Sequence, residues 1–166
     1  MERETLRRDA ARVLVLDAAG RVLLLRGSDP AVPGVHFWWT IGGGREPGES
    51  MRSCAVRELH EEAGLVVTEA DLVGPLHRNA SSFAFDRFWV EQDNEFFAVR
   101  VESWSAAPAA LDALEIASIV GTGWWTLEEL QAQRDGRPHG GPGEVGEAVY
   151  PAELPEVLAA ALASTA

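Results

Sequence analysis

Residues 50–63 contain neither Gly nor Pro, and apolar Ala55, Val56, Leu59 and Ala63 recur near helical spacing. Ser50 supplies an N-cap and Gly64 a C-cap, so the segment predicts one helix with both ends specified. This constrains the fold strongly, because most of the chain on either side reads as strand. Residues 10–16 and 21–26 are Val- and Leu-rich runs flanking the turn residues of 17–20, a β-hairpin. A Gly/Pro loop at 27–34 and a brief strand at 37–41 lead to the helix. Strand-like segments come after it at 65–68, 72–77, 83–90 and 95–104, with a turn expected at 91–94. Residues 105–115 read as a loop or a short helix, and 119–125 as a last strand. Thr126 and Glu129 are spaced as a capping box opening a short helix. A closing helix starts near Pro155. One central helix among strands, with further helices late, predicts an α/β (α+β) fold with a mixed sheet between helices.

The chain of 166 residues is long enough for a real core and reads as one domain, 1–166. Residues 1–8 are expected as an N-terminal tail. Residues 134–149, too rich in Gly and Pro for regular structure, are expected as a flexible loop that closes over the site.

With 14 Lys and Arg against 26 Asp and Glu, the net charge is −12, and no basic stripe is present to meet a nucleic-acid polymer. No apolar run approaches the roughly 20 residues of a membrane span, so no membrane partner is expected. No leader pattern is visible at the N-terminus, and Cys54 is the only cysteine, so cytoplasmic localisation is the expectation. Cys54 itself reads as a small buried residue on the helix. A phosphate-bearing ligand would have to be attracted by something other than the overall field, and a divalent cation meets that need.

The stretch IGGGREPGES, residues 41–50, has nearly the spacing of a phosphate-binding Walker loop, but Glu49 stands where Lys would reach the phosphates. Glu58, Glu61 and Glu62 lie beyond it at i, i+3 and i+4, projecting from one helix face within a turn. A solvated acidic face is one reading. Convergence in a cleft is the other, and hard oxygen ligands then suit Mg²⁺ or Mn²⁺. Glycines let a backbone approach closely and turn carbonyls toward a cation, so the loop can hold the metal that holds the phosphate.

Gly43, Glu49, Arg57, Glu58, Leu59, Glu61, Glu62, Gly64 and Leu65 match G-x5-E-x7-R-E-U-x-E-E-x-G-U, U being a bulky aliphatic residue, with every spacing kept. In this the chain resembles the Nudix hydrolases (MutT-like). The GRVLLLRG strand, the Trp38 lead-in, GWWTLEEL and VYPAELPEVL extend the resemblance over most of residues 9–133 and into the closing helix. Ile41 departs from the family's usual Pro before the paired glycines. The window ASSF, residues 80–83, lacks the Pro or Tyr that marks some subgroups.

The resemblance implies a Nudix-type α/β/α sandwich around a central mixed β-sheet. It also implies a Mg²⁺-dependent hydrolase of a nucleoside diphosphate linked to some group X. It makes Glu58, Glu61 and Glu62 metal carboxylates, helped by the Gly42 carbonyl, with Gly43 and Gly64 shaping loop and helix end. Glu49 and Arg57 would orient the set. Glu58, Glu62 or the later Glu115 would be the general base. The implied partner is a small nucleotide, with homodimerisation left open. Alternatives are a non-catalytic nucleotide-binding regulator and a hydrolase of a non-nucleotide diphosphate. From the residues, Phe83, Phe85 and Trp89, taken as alternating on one strand face, are candidates to stack a base, and Arg26, Arg78 and Arg87 to meet phosphate; core packing and surface charge are the plainer readings. His60 does not open a zinc motif, because Gly64 stands where the second His is required. The Trp38–Trp39 and Trp124–Trp125 pairs read as core.

Overall fold

A computed structural model describes residues 2–102, 108 and 110–166. Its strands are β1 (Glu4–Leu16), β2 (Val22–Ser28), β3 (His36–Gly44), β4 (Val73–Phe85), β5 (Phe88–Arg100), β6 (Ile119–Trp125) and β7 (Ala148–Tyr150). Its helices are α1 (Met51–Ala63), α2 (Ala113–Ser118), α3 (Leu127–Arg134) and α4 (Leu154–Ser164), with a 3₁₀ turn at Glu69–Asp71. The strands form one curled mixed sheet in the order β4-β5-β1-β2-β3-β7, with β6 on β2 and β1 also pairing β3. The β1–β5 and β3–β7 pairs are parallel; the others are antiparallel.

Residues 10–16 are apolar at every position but Arg12 because this part of β1 is covered on both faces. Ala11, Val13 and Val15 join Leu23, Leu25 and Ile41 beneath the apolar stripe of α1, which contributes Cys54, Ala55, Leu59 and Ala63. Leu14 and Leu16 point the other way, to Trp38, Trp125, Leu130 of α3 and Leu154, Leu158 and Ala161 of α4. Burying a Leu or Trp fully contributes about 1.5–3 kcal/mol or more, so these two layers fix α1 on one side and α3 with α4 on the other. Trp38 and Trp125 meet edge to face at 5.2 Å. Trp39 and Trp124 are half-buried against the α1 layer.

Several expectations need correction. Residues 4–8, read as tail, belong to β1, which pairs in register with β5 from Glu4 against Phe88. Residues 65–68 are not a strand. Residues 91–94 are not a turn but the middle of β5; their polar composition reflects inward-facing Gln92 and Asn94, each only 6% exposed, and Glu91 paired with Arg7. The reversal occurs at Asp86–Arg87, where Asp86 takes φ 52°. Ser103 and Trp104 of the 95–104 strand, and residues 105–107 and 109 of the next segment, lie outside the described residues. The short helix α2 comes next along the chain, and its N-cap Asp112 accepts from Glu115 N. β7 occupies the end of 134–149.

Candidate active site

Local chemistry fixes α1 first. Ser50 Oγ accepts from Ser53 N at 3.0 Å, and Gly64 closes the helix in the left-handed region, φ 69°, donating to the His60 carbonyl. The helix then packs its stripe beneath β3, and the next positions round, Glu58 and Glu62, turn toward the glycines at the end of that strand. They are only 5% and 4% exposed. Gly43 permits this approach, since a Cβ there would fall on the Glu58 carboxylate.

Gly42 N donates to Glu62 Oε2 at 3.1 Å. Arg57 organises the rest. Its Nε donates to Glu49 Oε1 at 2.5 Å, and Nη2 to Glu49 Oε2 at 3.1 Å and the Gly44 carbonyl at 2.9 Å. Nη1 reaches Glu58 Oε1 at 2.9 Å and Glu61 Oε2 at 3.1 Å. The forked, charge-assisted contact holds Glu49 below the usual carboxylate range and pushes the guanidinium further up. Glu49 therefore serves the site through Arg57. Glu61 is more exposed than its neighbours and is tied to Glu58 by the same arginine nitrogen.

One oxygen each from Glu58, Glu62 and Glu115 gather within 4.8 Å of one another. Burial pushes the Glu58 carboxyl up, with Glu61 and Glu115 adding to the rise against the pull of Arg57. Glu62 is driven well up by burial and then by Glu58, opposed by the Gly42 N–H and Arg12. Two unit charges 4 Å apart repel by about 4 kcal/mol at an effective dielectric constant near 20. Among the described residues, Glu58 Oε2 is buried with no hydrogen-bond partner. A buried acceptor without a donor, inside a set of hard oxygen ligands, fits a divalent cation such as Mg²⁺ or Mn²⁺.

Two arginines at this site escaped the sequence reading. Arg12 Nη1 donates to the carbonyls of Gly42 at 3.2 Å and Thr40 at 3.4 Å, so a cation on the Gly42 carbonyl would share that oxygen with Arg12. Arg8 lies along Gly44, and its Nε donates to Gln92 Oε1 at 3.0 Å. The available signal was their i, i+4 spacing, which puts two cations on the strand face that also carries Leu6, Ala10, Leu14 and Leu16. Ile41, where the family pattern often has Pro, pairs with Val13 and is fully buried.

The candidate ligand contacts divide. Phe83 and Phe85 are half-buried opposite Val90 and Phe88, on the sheet face that also carries Asn79, Ser81, Gln92, Asn94 and Arg8. Trp89 pairs with Ala84 and so faces the other side, correcting the single aromatic face read from sequence. Arg78 is also on that other side, exposed, 3.5 Å from Glu95. Arg87 is at the hairpin tip, over the Phe88 ring at 4.9 Å. Arg26 is engaged by both oxygens of Glu147, which also accepts from Trp38 Nε1 at 2.9 Å. That contact holds residues 134–149 against the β2–β3 face, together with His139 on the Trp125 ring.

A curled mixed sheet between α1 and the α3–α4 layer, with a glycine strand end feeding a carboxylate helix, defines a Nudix-type α/β/α fold. The NUDIX domain family model matches residues 6–143, and the chain belongs to the Nudix hydrolase family. NAD-capped RNA hydrolases NudC of Pseudomonas aeruginosa and Pseudomonas putida are 40% and 42% identical to it over 62 residues. The match takes in 37% of this chain and only 22% of those proteins' length. Among solved structures, the MutT protein of Methanosarcina mazei Go1 superposes with a TM-score of 0.59 at 16% identity, covering 99% of this chain and 98% of that one. The NUDIX domain of Shewanella oneidensis NrtR, in complex with ADP ribose, gives 0.61 at 15% identity over 95% and 89%. At such identities the structural likeness concerns the fold.

Proposed function

We propose that this protein is a divalent-metal-dependent pyrophosphohydrolase that cleaves a nucleoside diphosphate linked to X, releasing a nucleoside monophosphate. The observation that carries the reading is the unpartnered, buried Glu58 Oε2 gathered with Glu62 and Glu115 at the end of the glycine strand. Glu58 and Glu62, with Glu61 alongside, would hold Mg²⁺ or Mn²⁺. Such an ion, when bound, neutralises diphosphate charge and lowers the pKa of water.

The chain's own residues do the remaining work. Arg57 holds Glu58 and Glu61 in place and takes its own orientation from Glu49 and the Gly44 carbonyl. The Gly42 N–H fixes Glu62. Glu115, less buried than Glu58 and Glu62 and anchored by its cap contact with Asp112 N at 2.7 Å, is assigned as the general base that takes the proton of the attacking water. Phe83 and Phe85, on the same sheet face as Arg8, supply apolar surface for the nucleoside.

The test is chromatographic product analysis with Mg²⁺ and nucleoside triphosphates, NADH, ADP-ribose, dinucleoside polyphosphates and sugar nucleotides. NADH and ADP-ribose merit inclusion because NudC proteins act on NAD-capped RNA and the NrtR domain binds ADP ribose. Metal-dependent release of a nucleoside monophosphate, abolished in Glu62→Gln, supports the reading. No turnover of any compound, with the variant indistinguishable from wild type, overturns it in favour of a non-catalytic nucleotide-binding domain or a non-nucleotide diphosphate.

A further inference from the structure

The β1–β5–β4 sheet face should be apolar where it approaches the α4 layer. Instead, a row of amides crosses it, buried in the centre of β5. Arg8 Nε donates to Gln92 Oε1 at 3.0 Å, Gln92 Nε2 to Asn94 Oδ1 at 2.8 Å, and Asn94 Nδ2 to Asn79 Oδ1 at 2.9 Å. Asn79 Nδ2 then donates to Glu153 Oε1 at 2.6 Å. Glu153 is the N-cap position of α4, and it also meets His77 Nε2 at 3.1 Å.

The two ends of this row have only one possible polarity. A guanidinium can only donate, and an ionised carboxylate can only accept. Every amide between them is therefore oriented: oxygen toward Arg8, nitrogen toward Glu153. The Asn94 amide spends both N–H groups, the second on Ser81 Oγ at 3.0 Å, and its oxygen also faces Arg12 Nε at 3.5 Å. Buried polar groups are tolerated when satisfied, and a fully directed row is rigid. It holds a cation at its end.

That cation lies along the glycine strand end that also meets Glu58. Gly44 has no side chain, and a Cβ there would lie 2.9 Å from Arg8 Cδ and 3.4 Å from Nη1. Burial lowers the Arg8 guanidinium pKa, and Glu58, Cys54, Glu62 and Asp112 each act against that fall. Among the described residues, Arg8 Nη1 and Nη2 donate no hydrogen bond, and the side chain has no ion pair, although the chain carries a net charge of −12. Neighbouring Arg7, by contrast, is on the opposite face and paired with Glu91.

We propose that Arg8 is a diphosphate-binding residue, its guanidinium presented at the glycine strand end by the Gln92–Asn94–Asn79–Glu153 row. This rests on the diphosphate hydrolase reading and deepens it. Arg8 meets the phosphate oxygens of the ligand through Nη1 and Nη2. Asn79, Asn94, Gln92 and Glu153 act as positioning residues, through Arg8.

The probe is inorganic pyrophosphate with Mg²⁺, titrated calorimetrically into wild type, Arg8→Ala, Arg8→Lys, Arg7→Ala, Glu153→Ala and Glu153→Gln, each checked for folding by thermal melting. A hydrogen bond to a charged group is worth about 1.5–3 kcal/mol, which converts to roughly 10- to 100-fold in affinity. Arg8→Ala should lose that much, Arg8→Lys part of it, and Arg7→Ala nothing. Glu153→Ala should weaken binding by about threefold or more, and Glu153→Gln, which keeps an acceptor for Asn79, should restore it. On any substrate the protein turns over, Arg8→Lys should raise KM more than it lowers kcat. Absence of saturable pyrophosphate binding by wild type, or equal losses in Arg7→Ala and Arg8→Ala, overturns the proposal. Loss in Arg8→Ala with no change in Glu153→Ala overturns the positioning row. Arg8-dependent pyrophosphate binding without turnover of any substrate upholds the anion site while the hydrolase reading fails.

Discussion

Gly42 donates its backbone N–H to Glu62 Oε2 at 3.1 Å, while its carbonyl accepts from Arg12. One residue thus ties α1 to the end of β3, and β3 to Arg12 of β1. The carboxylate it holds is buried, and its partner Glu58 repels it. A cation or a proton relieves that repulsion, and the two compete.

That competition makes stability depend on pH. Burial and mutual repulsion raise the Glu58 and Glu62 carboxyls above their unfolded values. Native protein therefore binds more protons than unfolded protein between the ordinary carboxylate pKa and the raised one, and stability falls as pH rises through that window. Metal-free Glu62→Gln should melt higher than metal-free wild type at pH 8, with the gap closing toward pH 4. At this size each kcal/mol moves the midpoint by about 2–4 °C. Thermal melts in EDTA across pH measure the gap, and Mg²⁺ should raise the wild-type midpoint more at pH 8 than at pH 5.

Arg57→Lys keeps the charge and loses the fork that spans Glu49, Glu58, Glu61 and the Gly44 carbonyl. Groups that orient metal ligands are typically worth 10- to 100-fold in metal affinity. Mg²⁺ titration of Arg57→Lys should show a loss of that size, with little change in helix content by circular dichroism.

Gly43→Ala places a methyl group on the Glu58 carboxylate and should displace it. Turnover of the substrate identified by product analysis should fall by at least about 100-fold, the cost of misplacing a group at the reacting centre by roughly 1 Å.

Glu147 joins Arg26 and Trp38 and is itself mostly buried. Burial opposes its ionisation, but the Arg26 contact, the Glu144 N–H and the Trp38 N–H together hold its pKa low. Removing one partner of a buried pair costs about 3–5 kcal/mol, and Arg26 is partly exposed, so a smaller cost of about 2–3 kcal/mol is expected for Glu147→Ala. Urea denaturation measures it. If residues 134–149 brace the sheet, kcat and KM of the folded variant stay unchanged; a change in KM would give the segment a role over the site.

The features legible in the sequence are those encoded locally. Ser50, Gly64 and the stripe of Ala55, Leu59 and Ala63 specify α1 within a few turns of chain, and the spacing of Glu58 and Glu62 puts those two carboxylates together, with Glu61 outside the gathered set on Arg57. Glu115 joins the cluster from another element, as the family resemblance implies. Non-local features are harder. Gln92 and Asn94 look like turn residues because their reason for being polar is a hydrogen-bond row contributed by β1, β4 and α4. The reversal at Asp86–Arg87 carries no Gly or Pro, so the sequence alone assigns Trp89 to the wrong face. Arg8 falls within a segment that reads as tail, and its place depends on parallel pairing with a strand more than eighty residues away.

Glu58 and Glu62 are proposed to form a divalent metal site at the end of β3. Electron paramagnetic resonance of Mn²⁺ titrated into wild type and into the Glu58→Gln/Glu62→Gln double variant tests it most directly. Wild type should bind Mn²⁺ saturably, with the binding lost in the folded double variant and the ion displaced by Mg²⁺. Equal Mn²⁺ binding by both proteins, or none by wild type, would contradict it.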